Sequence, residues 1–353
     1  MFEDLKVIDC STVLAGPSVG TFFAELGASV IKIENPTIPD VTRTWKLASE
    51  DKESSISAYF SSVNYHKNYL QLDFKNKPDL NQLVDLIKTT DIFLSNFKKG
   101  DAEKFGLTDS YLLSINPRLI IGKISGFGVE SDRVAYDLIL QAETGFMSMN
   151  GTSESGPVKM PVALIDVLAA HQLKEGILTA LLKRTKTNQG SVVSVSLYDA
   201  AISSLANQAS NYLMEGYIPG RIGSLHPNIA PYGEIFITHD RKLITFAIGS
   251  NKHFQMLCDF LKLSELTSDE RFSENVERVK NRSVLREIIQ EIISRCNADD
   301  IMEYMHHHFV PAGIIKNLEE VFEEPASQRL IRTENIENIE TLRVSQIAFQ
   351  LNP

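Results

Sequence analysis

The sequence has few cysteines, no long apolar run and no basic block, and each absence removes a class of protein. Its 353 residues include only Cys10, Cys258 and Cys296. They are odd in number and far apart, with no CxxC pair, so neither a zinc site nor a disulfide framework is indicated. A reducing cytoplasm is the expected compartment. No stretch of about 18 apolar residues occurs, so no membrane-spanning helix is expected. The opening MFEDLKVIDC carries no basic start followed by an apolar core, and no signal peptide is read there. The formal net charge is −10. An acidic chain without a basic block lacks the positive footprint of a duplex nucleic-acid binder, although Lys98 and Lys99 leave room for a local anion pocket.

Internal repeats and low-complexity tracts are also missing. A hydrophobic share of 43% with 23% charged residues argues against disorder. The length exceeds what one hydrophobic core usually spans, so two lobes are expected.

What is present is an alternation of strand and helix signals. LKVIDC (5–10) predicts a strand, residues 18–26 a helix, and SVIKIE (Ser29–Glu34) a second strand, which together make a βαβ unit. Further strands are predicted over 69–74, 91–97 and 119–125, with a helix over 81–89. A long helix is predicted over 167–183, and residues 192–202 pass from strand into helix. A loop rich in Gly, Pro and Asn over 216–233 marks the proposed boundary. Beyond it, EIFITHD and KLITFAIG predict an antiparallel pair turning near Asp240 and Arg241. Helices are expected over 252–309, and a last strand from Ile339 is expected to return to the first lobe.

Several short patterns fail on inspection. The first βα turn reads AGPSVG, not GxGxxG, and Pro17 stands where a donor N–H would be useful. Glu34 ends the second strand where a ribose-binding acid would sit, yet the nicotinamide reading is set aside; the loop still suits another phosphate-bearing ligand. His306, His307 and His308 are successive, so on a helix they point about 100° apart and cannot converge on one ion. Ser125-Gly126-Phe127-Gly128 lacks the GxSxG elbow of a hydrolase.

Asp166 is the strongest candidate for chemistry. It stands in PVALIDVLAAHQ, a strand-like run ending at a carboxylate that opens the long helix. Taken alone it reads first as an N-cap, whose oxygen accepts an orphan N–H; the compatible second reading is a nucleophile, which must be ionised. Helix-start N–H groups would favour the ionised form, so position alone does not choose.

The opening LKVIDCSTVLAGPSVGTFFAELGASVIKIENP resembles the start of class III CoA-transferases, the family of formyl-CoA transferase and crotonobetaine:carnitine CoA-transferase. The resemblance runs on through VNYHKNYLQLDFKN, SNFKKGDAEKFGL, NPRLI, YDLILQAETG, ALIDVLAA, RTKTNQGSVVSVSLYDAA, HPNIAPYGEIFITHD and VPAGIIKNLEEV, in family order. It implies a two-lobed α/β fold: a Rossmann-like large domain from residues 1–215 and 330–353, and a smaller inserted α+β domain over 225–325. Linkers fall at 216–224 and 326–329. An interlocked homodimer is implied as well.

By the same resemblance, Asp166 is the catalytic aspartate. Val13, Leu14 and Ala15 line the CoA site, while Asn64, Lys67, Asn96, Phe97 and Lys104 contact the nucleotide or pantetheine part. Tyr136 and Asp137 lie near the thioester. The implied reaction moves CoA from an acyl-CoA to a small carboxylic acid through an aspartyl anhydride and an aspartyl-CoA thioester. No permanently bound cofactor or metal is expected, with acyl-CoA and coenzyme A as substrates.

The match also departs from the family. Asn35 follows VIKIE where many relatives carry Arg, no glycine run closes over the aspartate, and the chain is shorter than many relatives. A dedicated formate or oxalate transferase is therefore disfavoured. Two alternatives remain: an α-methylacyl-CoA racemase-like enzyme and a non-catalytic CoA-binding paralogue. Racemases place a His where this chain has Tyr136, a poor base with an ordinary pKa of roughly 10.

Overall fold

Short runs of Val, Ile and Leu build the central sheet of the protein, whose computed structural model describes residues 1–351. The strands are β1 (Lys6–Asp9), β2 (Ser29–Glu34), β3 (Asn68–Gln71), β4 (Ile92–Ser95), β5 (Ile120–Ser125) and β6 (Ser191–Ser196). They lie in the order β3-β2-β1-β4-β5-β6, and every pairing is parallel. The chain moves outward from β1 to β3, then returns to place β4 on the other side of β1. Loops leaving β1 and β4 therefore diverge, and a crevice opens beyond the carboxyl ends of these strands.

A parallel sheet must be covered on both faces, and β4 is buried along its whole length. The helices of this part are α1 (Ala15–Glu25), α2 (Ala58–Ser62), α3 (Lys77–Ile87), α4 (Asp101–Phe105) and α5 (Asp109–Ile115). They continue with α6 (Asp137–Glu143), α7 (Phe146–Met149), α8 (Leu164–Thr187), α9 (Leu197–Ser203) and α10 (Ala206–Glu215). One face of the sheet packs Val7, Val30, Leu94 and Ile120 against Phe23 of α1 and Leu173 and Ile177 of α8. The other packs Ile8, Phe93 and Ile121 against Leu83 of α3 and Leu112 of α5. Burying a Leu or Ile side chain of this kind contributes roughly 1.5–3 kcal/mol. Gly122 lets α8 lie close to the sheet, because a Cβ there would stand 2.8 Å from Leu94 and 2.9 Å from Ile177.

Two helix starts differ from the sequence reading. Helix α1 begins at Ala15, so Pro17 lies in its first turn, where a missing N–H costs nothing. Helix α8 begins at Leu164 with Ala163 as its N-cap. Asp166 is thus the third helical residue and not the cap.

Backbone proximity divides the chain into two compact units, residues 1–147, 159–219 and 328–353, and residues 148–158 with 220–327. The stretch 148–158, which the sequence reading left in the large domain, groups with the second unit. Strands β7 (Tyr232–Ile237), β8 (Leu243–Ala247) and β9 (Ala312–Ile314) form that unit's antiparallel sheet. Its core joins Phe236, Ile244 and Phe246 to apolar faces of α11 (Asn251–Leu261), α13 (Arg282–Ile293) and α14 (Ala298–His307), with α12 (Asn275–Lys280) between them in sequence. His306 and His307 end α14 at the surface, and no metal-binding group of His, Cys, Asp or Glu occurs among the described residues.

The last strand does return to the first unit. Strand β11 (Ile339–Val344) pairs antiparallel with β10 (Ile331–Ile336), and Ile336 and Ile339 pack on Ile56 and Phe60. The following segment is tied to the end of α1, since Glu25 accepts from Arg343, Ser345, Gln346 and Ile347.

Candidate active site

The loop after β1 is held from several sides. Asn96, just past β4, accepts the Thr12 N–H at 3.1 Å and donates to the Thr12 carbonyl at 3.0 Å. Both Asp40 oxygens receive the Val13 N–H, at 3.2 and 3.3 Å. Lys32, fully buried, bonds the Ser11 carbonyl and pairs with Asp40 at 3.2 Å. This clamp keeps Val13 at a φ of 74°, a left-handed conformation that a β-branched residue adopts only when its surroundings impose it.

That loop floors a cleft of about 700 Å³ at the divergence of β1 and β4. Val13, Leu14 and Ala15 line it, with Asn96 and Phe97 after β4, Ser125 at the end of β5, and Gly126 and Gly128 beyond it. The Ser-Gly-Phe-Gly segment is therefore a rim. Gly126 is required there, because a Cβ would meet that of Ala135 at 2.3 Å. Lys98, Lys99, Lys123 and Arg133 line the cleft together with Glu103, Asp109, Glu130, Asp132 and Asp166; Lys123 pairs with Asp109 at 2.6 Å and Lys99 with Glu130 at 3.7 Å. A second hollow of about 540 Å³ is lined by Glu50, Asp51, Glu53 and Glu340, an unsuitable surface for a polyanion.

Asp166 projects into the same cleft from the first turn of α8. It is 8% exposed, and no hydrogen-bond donor reaches its carboxylate among the described residues. Burial, followed by the nearby Asp137 charge, pushes its pKa up to about 7. The positive end of a helix favours an anion, yet here the loss of water outweighs it. Of the two readings that the sequence left open, the cap is not met, and no helix-start N–H bond holds the carboxylate in its ionised form. Without bonded N–H groups, the carboxylate is a better nucleophile when it does ionise.

The remaining residues singled out by sequence divide. Tyr136 is half-exposed on the cleft wall. Asp137, next to it, points inward: its oxygens accept the Gln141 amide at 2.6 Å and the Ile165 N–H at 2.7 Å. Asn64 and Lys67 are buried away from the cleft lining. The Lys67 ammonium is shared among Asp9 at 2.9 Å, the Pro17 and Val63 carbonyls, and Asn64. No capacity is left for a ligand phosphate, which removes the physical basis for reading Lys67 as a free cation. Lys104 sits on α4 near the Phe105 ring, outside the lining residues. Asn35 organises its own turn, accepting from Thr37 and Ile38.

An aromatic group near Asp166 was not singled out from sequence. Trp45 meets Tyr59 edge-on at 5.1 Å and Tyr136 at 6.4 Å. Burial and the charges of Asp166 and Asp137 push the Tyr59 phenol up to about 12, so it stays neutral. The chain's single tryptophan, 37% exposed, is the signal that could have pointed there.

The chain matches the family model of CoA-transferase family III over residues 2–352. It is 36% identical over 330 residues to the succinate–glutarate CoA-transferase of Agrobacterium fabrum, covering 92% of this chain and 82% of that protein. Identity to the human succinyl-CoA:glutarate CoA-transferase is 31% over 326 residues, covering 92% and 73%. The crystal structure of a CAIB/BAIF family protein from Brucella suis superposes with a TM-score of 0.84 at 34% identity, covering 98% of this chain and 91% of that one. A cleft at the sheet's switch point and a buried carboxylate facing it agree with these likenesses: the chain belongs to CoA-transferase family III and is an enzyme that moves CoA from an acyl-CoA to a carboxylic acid.

Proposed function

We propose that this enzyme exchanges CoA between small dicarboxylates, with Asp166 as the covalent carrier. The observation that carries the mechanism is the unbonded, water-poor Asp166 carboxylate at the head of α8, facing the cleft beyond β1 and β4. The substrate class is supported by the named relatives, which act on succinate and glutarate or on mesaconate.

The ionised Asp166 attacks the thioester carbonyl, and the C–S bond breaks to give a mixed anhydride and CoA thiolate. The thiolate attacks the aspartyl carbonyl, which expels the donor acid and leaves an aspartyl-CoA thioester. An acceptor carboxylate attacks that thioester, forming its own anhydride with Asp166 and releasing the thiolate. Thiolate attack on the acceptor's carbonyl then yields the new acyl-CoA and regenerates the Asp166 carboxylate. Every step is substitution at a carbonyl, which needs neither redox change nor a resident cofactor. Val13, Leu14, Ala15, Asn96 and Phe97 are proposed to hold CoA, with Tyr136 beside the thioester.

A homodimer is proposed because α10 has no buried residue and presents Leu213 and Met214, each 78% exposed, an apolar face suited to a second copy. All three cysteines are unpaired, which supports a cytoplasmic setting.

Incubating enzyme with succinyl-CoA and hydroxylamine tests the mechanism. A hydroxamate should be found at Asp166 by peptide mass spectrometry and be lost in Asp166→Asn. Absence of any adduct with a donor that binds would sink the nucleophile assignment.

A further inference from the structure

Helix α8 lacks a cap of its own. Its N-cap, Ala163, has no side-chain oxygen, although the N–H groups of the second and third helical residues ordinarily receive one. The second helical residue is Ile165, and its N–H is taken by Asp137 Oδ1 from α6 at 2.7 Å. The other Asp137 oxygen accepts the Gln141 amide at 2.6 Å, and Gln141 in turn accepts the Met160 N–H at 2.8 Å. Asp137 is 9% exposed and Gln141 fully buried, so the arrangement is shielded from competing water.

We infer that Asp137 is a positioning residue: with Gln141 it caps α8 in place of Ala163 and fixes the turn from which Asp166 reaches the cleft. This rests on Asp166 being the nucleophile. One carboxylate thereby does two things to its neighbour. It sets the backbone of the turn, and it places a second negative charge near Asp166. Tyr59 of α2 also faces the pair but stays neutral at working pH, and Arg133 and Tyr136 line the same cleft on the segment before α6. Asp137 is thus the anion whose removal should be felt at Asp166.

The test uses Asp137→Ala and the pair Asp137→Asn with Gln141→Glu. The pair keeps all three hydrogen bonds, since the new amide accepts from Ile165 and donates to the new carboxylate, which still accepts from Met160. It moves the charge one helical turn away. Expected for Asp137→Ala is a fall in kcat of about tenfold or more, with the acyl-CoA KM changed less than about twofold. The double variant should recover most of kcat, with the acidic limb of its pH–rate profile lowered by about half a unit or more. Wild-type kcat in Asp137→Ala, or an unmoved limb in the double variant, would overturn the inference. If Asp137→Ala does not fold, the profile of the double variant decides alone. Failure of hydroxylamine trapping at Asp166 in the unaltered enzyme would instead remove the reading on which it rests.

Discussion

Lys67 and Asp9 form an ion pair of 2.9 Å in which both side chains are fully shut off from water. The pair joins the end of β1 to the segment before β3, and the Pro17 carbonyl brings α1 into it. Burying the two charges is costly, and the surrounding hydrogen bonds make it tolerable.

Truncation of Lys67 should therefore appear as a folding defect. Lys67→Met leaves Asp9 buried and unpaired, at a cost of about 3–5 kcal/mol, read by urea denaturation. A variant with unchanged stability and only a raised KM for acyl-CoA would show that Lys67 contacts the ligand after all.

Asp166 should make stability depend on pH. Its pKa is raised from 3.8 to about 7, so between those values the folded state holds a proton that the unfolded state has released. Stability contributed by the protonated group is complete below about pH 4 and is lost as pH rises through about 7. Asp166→Asn should match the stability of the unaltered protein near pH 4 and exceed it near pH 8 by about 2 kcal/mol or more, seen as a Tm gap that opens with pH. A Tm gap independent of pH would contradict the assigned environment. By the same proton, transferase activity should rise with pH and level off above about 7.

The cleft rim should govern encounter with the polyanionic substrate. Reversing Lys98 and Lys99 to Glu is expected to raise the acyl-CoA KM about tenfold and to weaken its salt dependence, with kcat nearly unchanged. Steady-state kinetics at two ionic strengths would show it. A fall in kcat at constant KM would place these lysines in another role.

The apolar face of α10 should mark the contact between copies. Leu213→Glu with Met214→Glu is expected to shift the protein to a smaller species in light scattering. An unchanged mass would move the interface elsewhere.

Local patterns carried the fold well. Strand β2 has the limits read from its SVIKIE run, and the antiparallel pair β7 and β8 turns beside Asp240 and Arg241 as expected. The misreadings share one cause, a partner far away in the chain. Helix α8 starts before Asp166 because its cap arrives from Asp137, 28 residues before the Ile165 N–H that it accepts. Lys67 is buried because Asp9, 58 residues away, meets it. The resemblance selected Asp166 and the floor residues Val13 to Ala15 as a site, and these do share one cleft. Motif order could not show which lysines face that cleft, and the rim cations Lys123 and Arg133 were not singled out.

The clamp on the loop after β1 has a thermodynamic corollary. Thr12 and Val13 are already immobilised by Asn96 and Asp40, so CoA docking at the proposed site would not have to freeze them. Calorimetry of free CoA should then report a rigid receptor, with a heat-capacity change set by the area the ligand buries and no added increment from a folding loop. Acyl-CoAs that differ only at the acyl end would share that baseline, and differences between their affinities would report on the acyl group alone.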